Sequence, residues 1–324
     1  MSRIKVAVIG VGHLGRYHAE KYRAHPGVEL VGVVDVEKYR ADKLAGRLGV
    51  PAFYRHLDLL DRVQAVSVAV PTGGHFDVAR DCLSAGVHIL VEKPITRTLD
   101  EADRLLALAE EKGLIVQVGH LERFNPALKA AARFIGRPLF IEANRISPFS
   151  ERGTDVDVIL DLMIHDIDIA LHLVGERPSH IRAVGVPVAT PRIDIANVRL
   201  EFPSGCVANL TASRISEKSL RKIRIFQKDA YLSIDYGRRE AYVVRRDALD
   251  ASGRPGTRGQ VLDVGPSDAL EEEINTFIQA VVQGTEPPVS GRDGRRALDV
   301  ALQIGADIES RRDLWELDGG PESP

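Results

Sequence analysis

The stretch Gly10-Val11-Gly12-His13-Leu14-Gly15 decides the architecture of this 324-residue chain. It follows the apolar run Val6–Ile9 directly and opens a helical segment. A glycine-rich turn alone is a weak signal, but one that joins a buried strand to a helix points to a dinucleotide. Gly10 permits the tight turn, Gly12 lets the backbone approach a pyrophosphate, and Gly15 allows close helix–strand packing. Free N–H groups at the helix start then face the phosphates. The second apolar run, Leu30–Val34, ends at Asp35, twenty residues beyond Gly15. A carboxylate there accepts both ribose hydroxyls and repels a 2′-phosphate, so NAD is expected over NADP, a preference that nearby Arg40 weakens slightly. The competing reading is a structural turn with Asp35 as a solvated strand end.

Further apolar runs at Ala65–Val70, Val87–Val91 and Leu114–Val118 suit parallel strands buried on both faces. Between them lie amphipathic stretches. The clearest sets Ala102, Leu105, Leu106 and Ala109 on one face, opens on the capping-box pair Thr98 and Glu101, and stops at Lys112-Gly113. This alternation predicts a doubly wound parallel sheet of Rossmann type over residues 1–120. After about residue 137 the period changes. Val198, Leu200 and Phe202 alternate with polar residues, and Pro203-Ser204-Gly205 leads into Cys206–Ala212, an expected antiparallel hairpin. Leu232, Ile234 and Tyr236 alternate in the same way, and helices are expected near 156–173, 269–282 and 296–310. The second domain, 121–316, is therefore expected to be α+β, with a mostly antiparallel open sheet and helices on one face. Residues 247–265, rich in Gly, Arg and Pro, read as a mobile loop, and 317–324 as a flexible tail.

Composition excludes several classes. With 44% hydrophobic and 27% charged residues the chain has the makings of a packed core, so disorder is ruled out as its main state. A net charge of −3 argues against a general nucleic-acid binder. Aromatic residues amount to 5%, with a single Trp315, which argues against a stacked carbohydrate platform. Cys82 and Cys206 stand far apart, so neither a disulfide scaffold nor a structural zinc site is expected, and a reducing compartment is favoured. The start, Met1-Ser2-Arg3-Ile4-Lys5, lacks the apolar region of a signal peptide, and no run of about 18 apolar residues occurs. A cytoplasmic protein without membrane insertion is expected.

The fourth apolar run ends in Glu92-Lys93-Pro94, a lysine at the carboxyl end of a strand, where this architecture binds ligands. Taken alone, the triplet is as well read as a plain turn. Joined to the glycine fingerprint, to Pro71-Thr72 and to His75, it resembles the Gfo/Idh/MocA family of oxidoreductases. The resemblance continues in Asp161-Leu162-Met163-Ile164-His165-Asp166-Ile167-Asp168, similar to the family's Asp-x-x-x-His segment, and in Asp268, Leu270, Phe277, Gly294, Ala297, Leu298 and Ser310. It implies a cofactor-binding set of Gly10, Gly12, His13, Leu14, Gly15, Asp35, Pro71, Thr72, His75, Glu92 and Lys93. One departure is Asp155-Val156-Asp157-Val158, where many members carry glycines, so substrates of the inositol and glucose dehydrogenases do not carry over directly.

Asp161 and His165 are four apart and share a helical face. From the residues alone the pair is open to a capped or core histidine, or to a metal; no third ligand has suitable spacing, so no metal is expected. The resemblance implies catalysis: His165 as base toward a sugar hydroxyl, Lys93 bonded to the same oxygen, and Asp161 holding a neighbouring hydroxyl or orienting the histidine. Histidine suits the task because its ordinary pKa, about 6.5, lies near working pH. Arg123 is a candidate for a substrate phosphate or carboxylate. Asn125 is equally a candidate for a sugar hydroxyl or acetamido group and for a helix cap, while Arg145 and Arg214 read as solvated.

Within the family, Val11–His18 and Asp155–Asp168 resemble members that act on nucleotide sugars in lipid A synthesis. That resemblance implies oxidation of the 3-hydroxyl of UDP-N-acetylglucosamine to a ketone, later transaminated by a partner aminotransferase. It also implies a homodimer or homotetramer. The alternatives are another sugar or inositol dehydrogenase, an NAD-dependent glycosidase that oxidises C3 transiently, and a non-catalytic NAD(H)-binding regulator.

Overall fold

The computed structural model describes residues 3–150, 156–249 and 255–311. The chain divides into two units: residues 1–124 with 267–298, and residues 125–266 with 299–324.

The first unit is built on six parallel strands in the order β3-β2-β1-β4-β5-β6. They are β1 (Ile4–Ile9), β2 (Val28–Val34), β3 (Ala52–Phe53), β4 (Ala65–Val68), β5 (His88–Glu92) and β6 (Val116–Gly119). The order reverses direction at β1 and β4, and ligands bind at such a switch point, outside the carboxyl ends of the strands. Helices α1 (His13–Ala24), α2 (Lys38–Leu48), α3 (His75–Ser84) and α4 (Leu99–Lys112) connect them. Thr98 and Glu101 form the expected capping box on α4, and Gly113 closes it in the left-handed conformation.

The contact division differs from the sequence boundary near 120 in one respect. Residues 267–298, expected in the second domain, belong to the first unit. The reason is burial. Helix α7 (Ala269–Gln283) sends Ile274, Phe277 and Ile278 into one core with Val6, Tyr22, Val28, Leu30 and Leu44. Beyond α7, Val118 N donates to Val289 O at 3.1 Å, and Ser290 bridges to Gln117, so this segment covers the free edge of β6. Ser290 and Asp293 then exchange hydrogen bonds at the start of α8 (Gly291–Glu309). The helix begins five residues before its expected start at 296. Gly291 and Gly294, poor helix formers, conceal this beginning; β-carbons there would strike Val116 and Val118.

The second unit carries eight strands in the order β14-β13-β12-β11-β7-β10-β9-β8. These are β7 (Pro138–Ile146), β8 (His180–Val186), β9 (Ile195–Glu201), β10 (Val207–Ser213), β11 (Leu220–Gln227), β12 (Ala230–Asp235), β13 (Glu240–Leu249) and β14 (Pro255–Val261). Only the β7–β10 pair is parallel. The β9–β10 hairpin turns where expected, with Gly205 at φ +84° donating to Phe202 O. One sheet face buries Ile141, Ala143, Leu200, Leu210, Ile223 and Leu232. Helix α5 (Pro126–Ala132) packs on β12 and β13, and α6 (Ile164–Val174) packs on β7 and β10. On the other face the rings of Phe140, Phe226 and Tyr231 lie 5.4 and 4.9 Å apart in series.

The loop expected over 247–265 is in large part a hairpin arm, with Val243 paired to Gln260 and Arg246 to Thr257. Its glycines hid the strand, because backbone pairing asks nothing of their side chains. Tyr242 compensates by lying over Gly259, where a β-carbon would sit 2.9 Å from the ring carbon bearing the hydroxyl. Asp155, Trp315 and the tail 317–324 lie outside the described residues.

Phe277→Ala empties a fully buried aromatic site in the first unit. It is expected to cost about 3–5 kcal/mol in urea-induced unfolding.

Candidate active site

In the first unit the three glycines of the turn differ in their surroundings. Gly10 has φ +85°, and a β-carbon on it would lie 2.7 Å from Ala69 C and O and from Val70 N. A β-carbon on Gly15 would lie 1.8 Å from Gly10 O. Around Gly12 nothing stands within 4 Å. Gly10 and Gly15 are therefore glycines for packing, and Gly12 is a glycine for space. Among the described residues no side chain caps the start of α1, so its first N–H groups are placed to meet a ligand. Asp35 is buried at the end of β2, accepting from Val11 N and Glu37 N, each at 2.9 Å. Both carboxylate oxygens keep lone pairs for ribose hydroxyls. An open cradle at a helix N-terminus beside such a carboxylate fits a dinucleotide. His13 stands exposed at the mouth with Tyr17 edge-on at 5.3 Å, and Leu14 is half-buried.

Pro71 is exposed and Thr72 half-buried in the turn after β4. His75, expected to touch the cofactor, is placed otherwise. It is buried, with Nδ1 2.8 Å from Pro94 O and Nε2 2.9 Å from Val70 O. Burial lowers its pKa, against the pull of these carbonyls and Glu92. His75 thus ties the turn after β4 to the turn after β5, where the Lys93–Pro94 bond is cis.

Lys93 is half-buried at the end of β5 beside Glu92. Burial works against ionisation of Glu92, yet His18, Lys93 and His75 hold its carboxyl below the ordinary value. His18 Nε2 lies 3.1 Å from Glu92 Oε1, and His18 Nδ1 lies 3.0 Å from Ser67 Oγ, which Tyr22 OH meets at 2.8 Å. Deeper still, Glu273 of α7 is 1% exposed, and burial followed by the charge of Glu92 raises its pKa well above 4.5. None of His18, Tyr22, Ser67 and Glu273 was singled out from the sequence. A signal existed for one: Ser67 is the lone polar residue of an otherwise apolar buried strand.

Arg123 has a counter-ion within its own unit, Asp293 at 3.8 Å, and its side chain is only 6% exposed. Burial opposes ionisation of Asp293, which Ser290, Arg296 and Arg123 nevertheless hold below the ordinary value.

In the second unit Asp161 sits in a π-helical turn, Ile159–Met163, and His165 in the first turn of α6. Ile164 N donates back to Ile159 O, the wide i→i−5 pattern that is frequent at functional sites. The expected helix from 156 is therefore two kinds of helix. The entry is tied down by Asp157, whose Oδ1 accepts from Ile193 N at 3.0 Å while Val158 N donates to Ile193 O at 3.0 Å. Asn125 is the N-cap of α5, accepting from Ala127 N, and its amide donates to Tyr236 O at 3.4 Å. The capping alternative describes it, and its amide is committed within the protein.

Arg145 and Arg214, read as solvated, are buried instead. Arg145 makes a bidentate pair with Asp166, both bonds 2.9 Å, next to His165. Arg214 stands 3.7 Å from the fully buried Asp194 and donates to Val156 O at 2.6 Å. Burial forced each arginine to find a carboxylate, which no local pattern reveals. Among the described residues no group of three or more His, Cys, Asp or Glu is placed to hold a metal, and no helix is long and apolar enough to cross a membrane.

Two family models match parts of this chain. "Oxidoreductase family, NAD-binding Rossmann fold" matches residues 4–120, and "GFO/IDH/MocA C-terminal domain" matches 130–233. The chain belongs to the Gfo/Idh/MocA family of oxidoreductases. Its first unit is an NAD-binding domain. The chain is 41% identical to the UDP-N-acetylglucosamine 3-dehydrogenase of Acidithiobacillus ferrooxidans, over 96% of this chain and 99% of that one. The solved structure of that enzyme matches with a TM-score of 0.90. The myo-inositol 2-dehydrogenase of Thermotoga maritima is 28% identical over 96% of this chain and 98% of its own. A levoglucosan dehydrogenase in complex with NADH and levoglucosan shares the fold, at 21% identity and a TM-score of 0.85, over 95% of this chain and 98% of that one.

Two outcomes follow from the geometry. Gly12→Ala is expected to fold normally and to weaken NADH binding by about tenfold or more, read by nucleotide fluorescence, whereas Gly15→Ala loses the fold through its clash with Gly10. The raised pKa of Glu273 has a stability consequence. As pH climbs from 4.5 the unfolded chain ionises this group and the folded chain does not, so stability falls. Glu273→Gln removes that loss: it should melt above the parent at about pH 8, with the gap closing toward about pH 5.

Proposed function

We propose that this enzyme is a UDP-N-acetylglucosamine 3-dehydrogenase, oxidising the sugar's 3-hydroxyl to a ketone. The observation that carries the reading is the near end-to-end likeness to the Acidithiobacillus enzyme, in sequence and in fold. More distant relatives include inositol dehydrogenases, which share the reaction type on other polyols. The half-buried Asp161 and His165, on a π-to-α turn braced by Arg145–Asp166, supply a base and a hydrogen-bonding partner. His165 takes the proton from the sugar hydroxyl. Lys93 is the cation available to stabilise developing negative charge on the reacting hydroxyl. Asp161 accepts from a neighbouring hydroxyl or orients His165. Bound NAD supplies the hydride acceptor. Gly12 and the free α1 N–H groups hold the pyrophosphate, and Asp35 holds the adenosine ribose.

A ketone accumulates against an unfavourable equilibrium unless it is consumed, so an aminotransferase is the natural functional partner of such an enzyme. The half-buried aromatic row Phe140–Phe226–Tyr231 on the outer sheet face supports a homodimer or homotetramer formed through that face.

Incubation with UDP-N-acetylglucosamine and NAD should give the 3-keto sugar, or the 3-amino sugar when an aminotransferase and glutamate are present. No product even with the aminotransferase drawing off the ketone would sink the reading. Lys93→Ala and His165→Ala are each expected to lose roughly 10²–10⁴-fold in kcat while still binding NADH.

A further inference from the structure

The carbonyl of Asp157 begins the helical turn that carries Asp161 and His165, accepting from Leu160 N at 3.1 Å and from Asp161 N at 3.0 Å. An aspartate at such a start ordinarily turns its carboxylate onto the first N–H groups of its own helix. Among the described residues the half-buried Asp157 side chain makes no such bond. Its Oδ1 accepts instead from Ile193 N at 3.0 Å, 36 residues along the chain. Val158 N donates to Ile193 O at 3.0 Å, so two consecutive residues of the helix entry latch onto one residue. The anchor is itself firmly held. Ile193 precedes Asp194, whose fully buried carboxylate gathers Val188 N, Ala189 N and Thr190 N at 2.9, 2.7 and 2.8 Å and the Thr190 hydroxyl at 2.8 Å. Asp194 N donates to Val186 O at 3.0 Å, at the end of β8, and β9 starts at the next residue. Arg214 N donates to Asp194 O at 2.9 Å and its guanidinium to Val156 O at 2.6 Å, which holds the residue before Asp157 to the same anchor.

We propose that Asp157 is a positioning residue: its carboxylate, turned away from its own helix, tethers the entry of the π turn to Ile193 and so fixes where Asp161 stands. The path is short and made of observed bonds. Ile193 N meets the Asp157 side chain, and the Asp157 carbonyl meets the amide of Asp161. Asp157 also lies in the segment where the sequence departs from the glycines of many relatives. A glycine at 157 would keep the backbone bonds and lose the tether, because the tether is a side-chain bond. The proposal rests on the dehydrogenase reading in one respect, that Asp161 is a side chain that meets the sugar. The tether itself does not depend on it.

The test has two arms, both on the whole protein. Hydrogen–deuterium exchange read by mass spectrometry follows the peptide spanning residues 158–165 without substrate or cofactor. Steady-state kinetics with UDP-N-acetylglucosamine and NAD gives KM and kcat. Asp157→Ala is expected to speed exchange in that peptide by about tenfold or more. It should raise KM for the sugar about tenfold, with kcat and NADH affinity changed less than about twofold. Asp157→Asn, whose amide oxygen can still accept from Ile193 N, should restore parental values in both arms. Asp157→Glu keeps the charge but sets the carboxylate one methylene further out. It should behave like the alanine variant, and it serves in its place if that variant does not fold. Parental exchange in Asp157→Ala would overturn the tether. Faster exchange with a parental KM would overturn the positioning role, and a glutamate variant equal to the parent would make charge, not placement, the cause. If the parent itself never oxidises the nucleotide sugar, the dehydrogenase reading fails while exchange still decides the tether.

Discussion

Helix α1 lies closer to β1 than any side chain at Gly15 would allow, and the nucleotide-binding unit depends on that approach. A rigid helix transmits closeness along its length. Three and seven residues beyond Gly15, on the same buried face, come His18 and Tyr22, which are thereby pressed onto β4 at Ser67. The missing β-carbon that aims a helix terminus at phosphates also seats a polar chain behind the end of β5. Sequence, packing and electrostatics meet in one glycine.

The second unit uses a different device around Asp161 and His165. A π turn is an uncommon conformation, and the chain surrounds it with buried charge. Arg145 grips Asp166 just after His165, and Arg214 sits with Asp194 while bonding Val156 just before the turn. Burial opposes ionisation of Asp194, but the N–H groups of Thr190, Val188 and Ala189 and the Thr190 hydroxyl keep it below the ordinary carboxylate value. Such buried pairs add little net stability compared with apolar packing. Their directional bonds fix positions, which is what a turn carrying two functional side chains requires.

Much of this was legible in the sequence. The glycine fingerprint and the spacing to Asp35 gave the parallel sheet and the cradle, because both depend on residues close together in the chain. Thr98 and Glu101 likewise announced α4. The failures were long-range. Nothing near Phe277 says that it shares a core with Val6, so the sequence boundary leaves α7 in the second domain. Arg145 and Arg214 carry charges that normally face water, and only the fold shows Asp166 and Asp194 waiting for them. His75 had the right neighbours for a ligand site and the wrong depth. At β14 the glycines erased the alternation by which strands are recognised.

The return of residues 267–298 to the first unit bears on how the chain is made. Val6, Val8, Leu30 and Tyr22 emerge from the ribosome early, but Ile274, Phe277 and Ile278, which complete their core, follow about 150 residues after residue 124. At ordinary elongation rates that is a delay on the order of ten seconds. During it the apolar cluster that α1 and α2 form on the parallel sheet lacks Ile274, Phe277 and Ile278, so part of its apolar surface stays open to water. The domain that is translated first is thus the one that closes late.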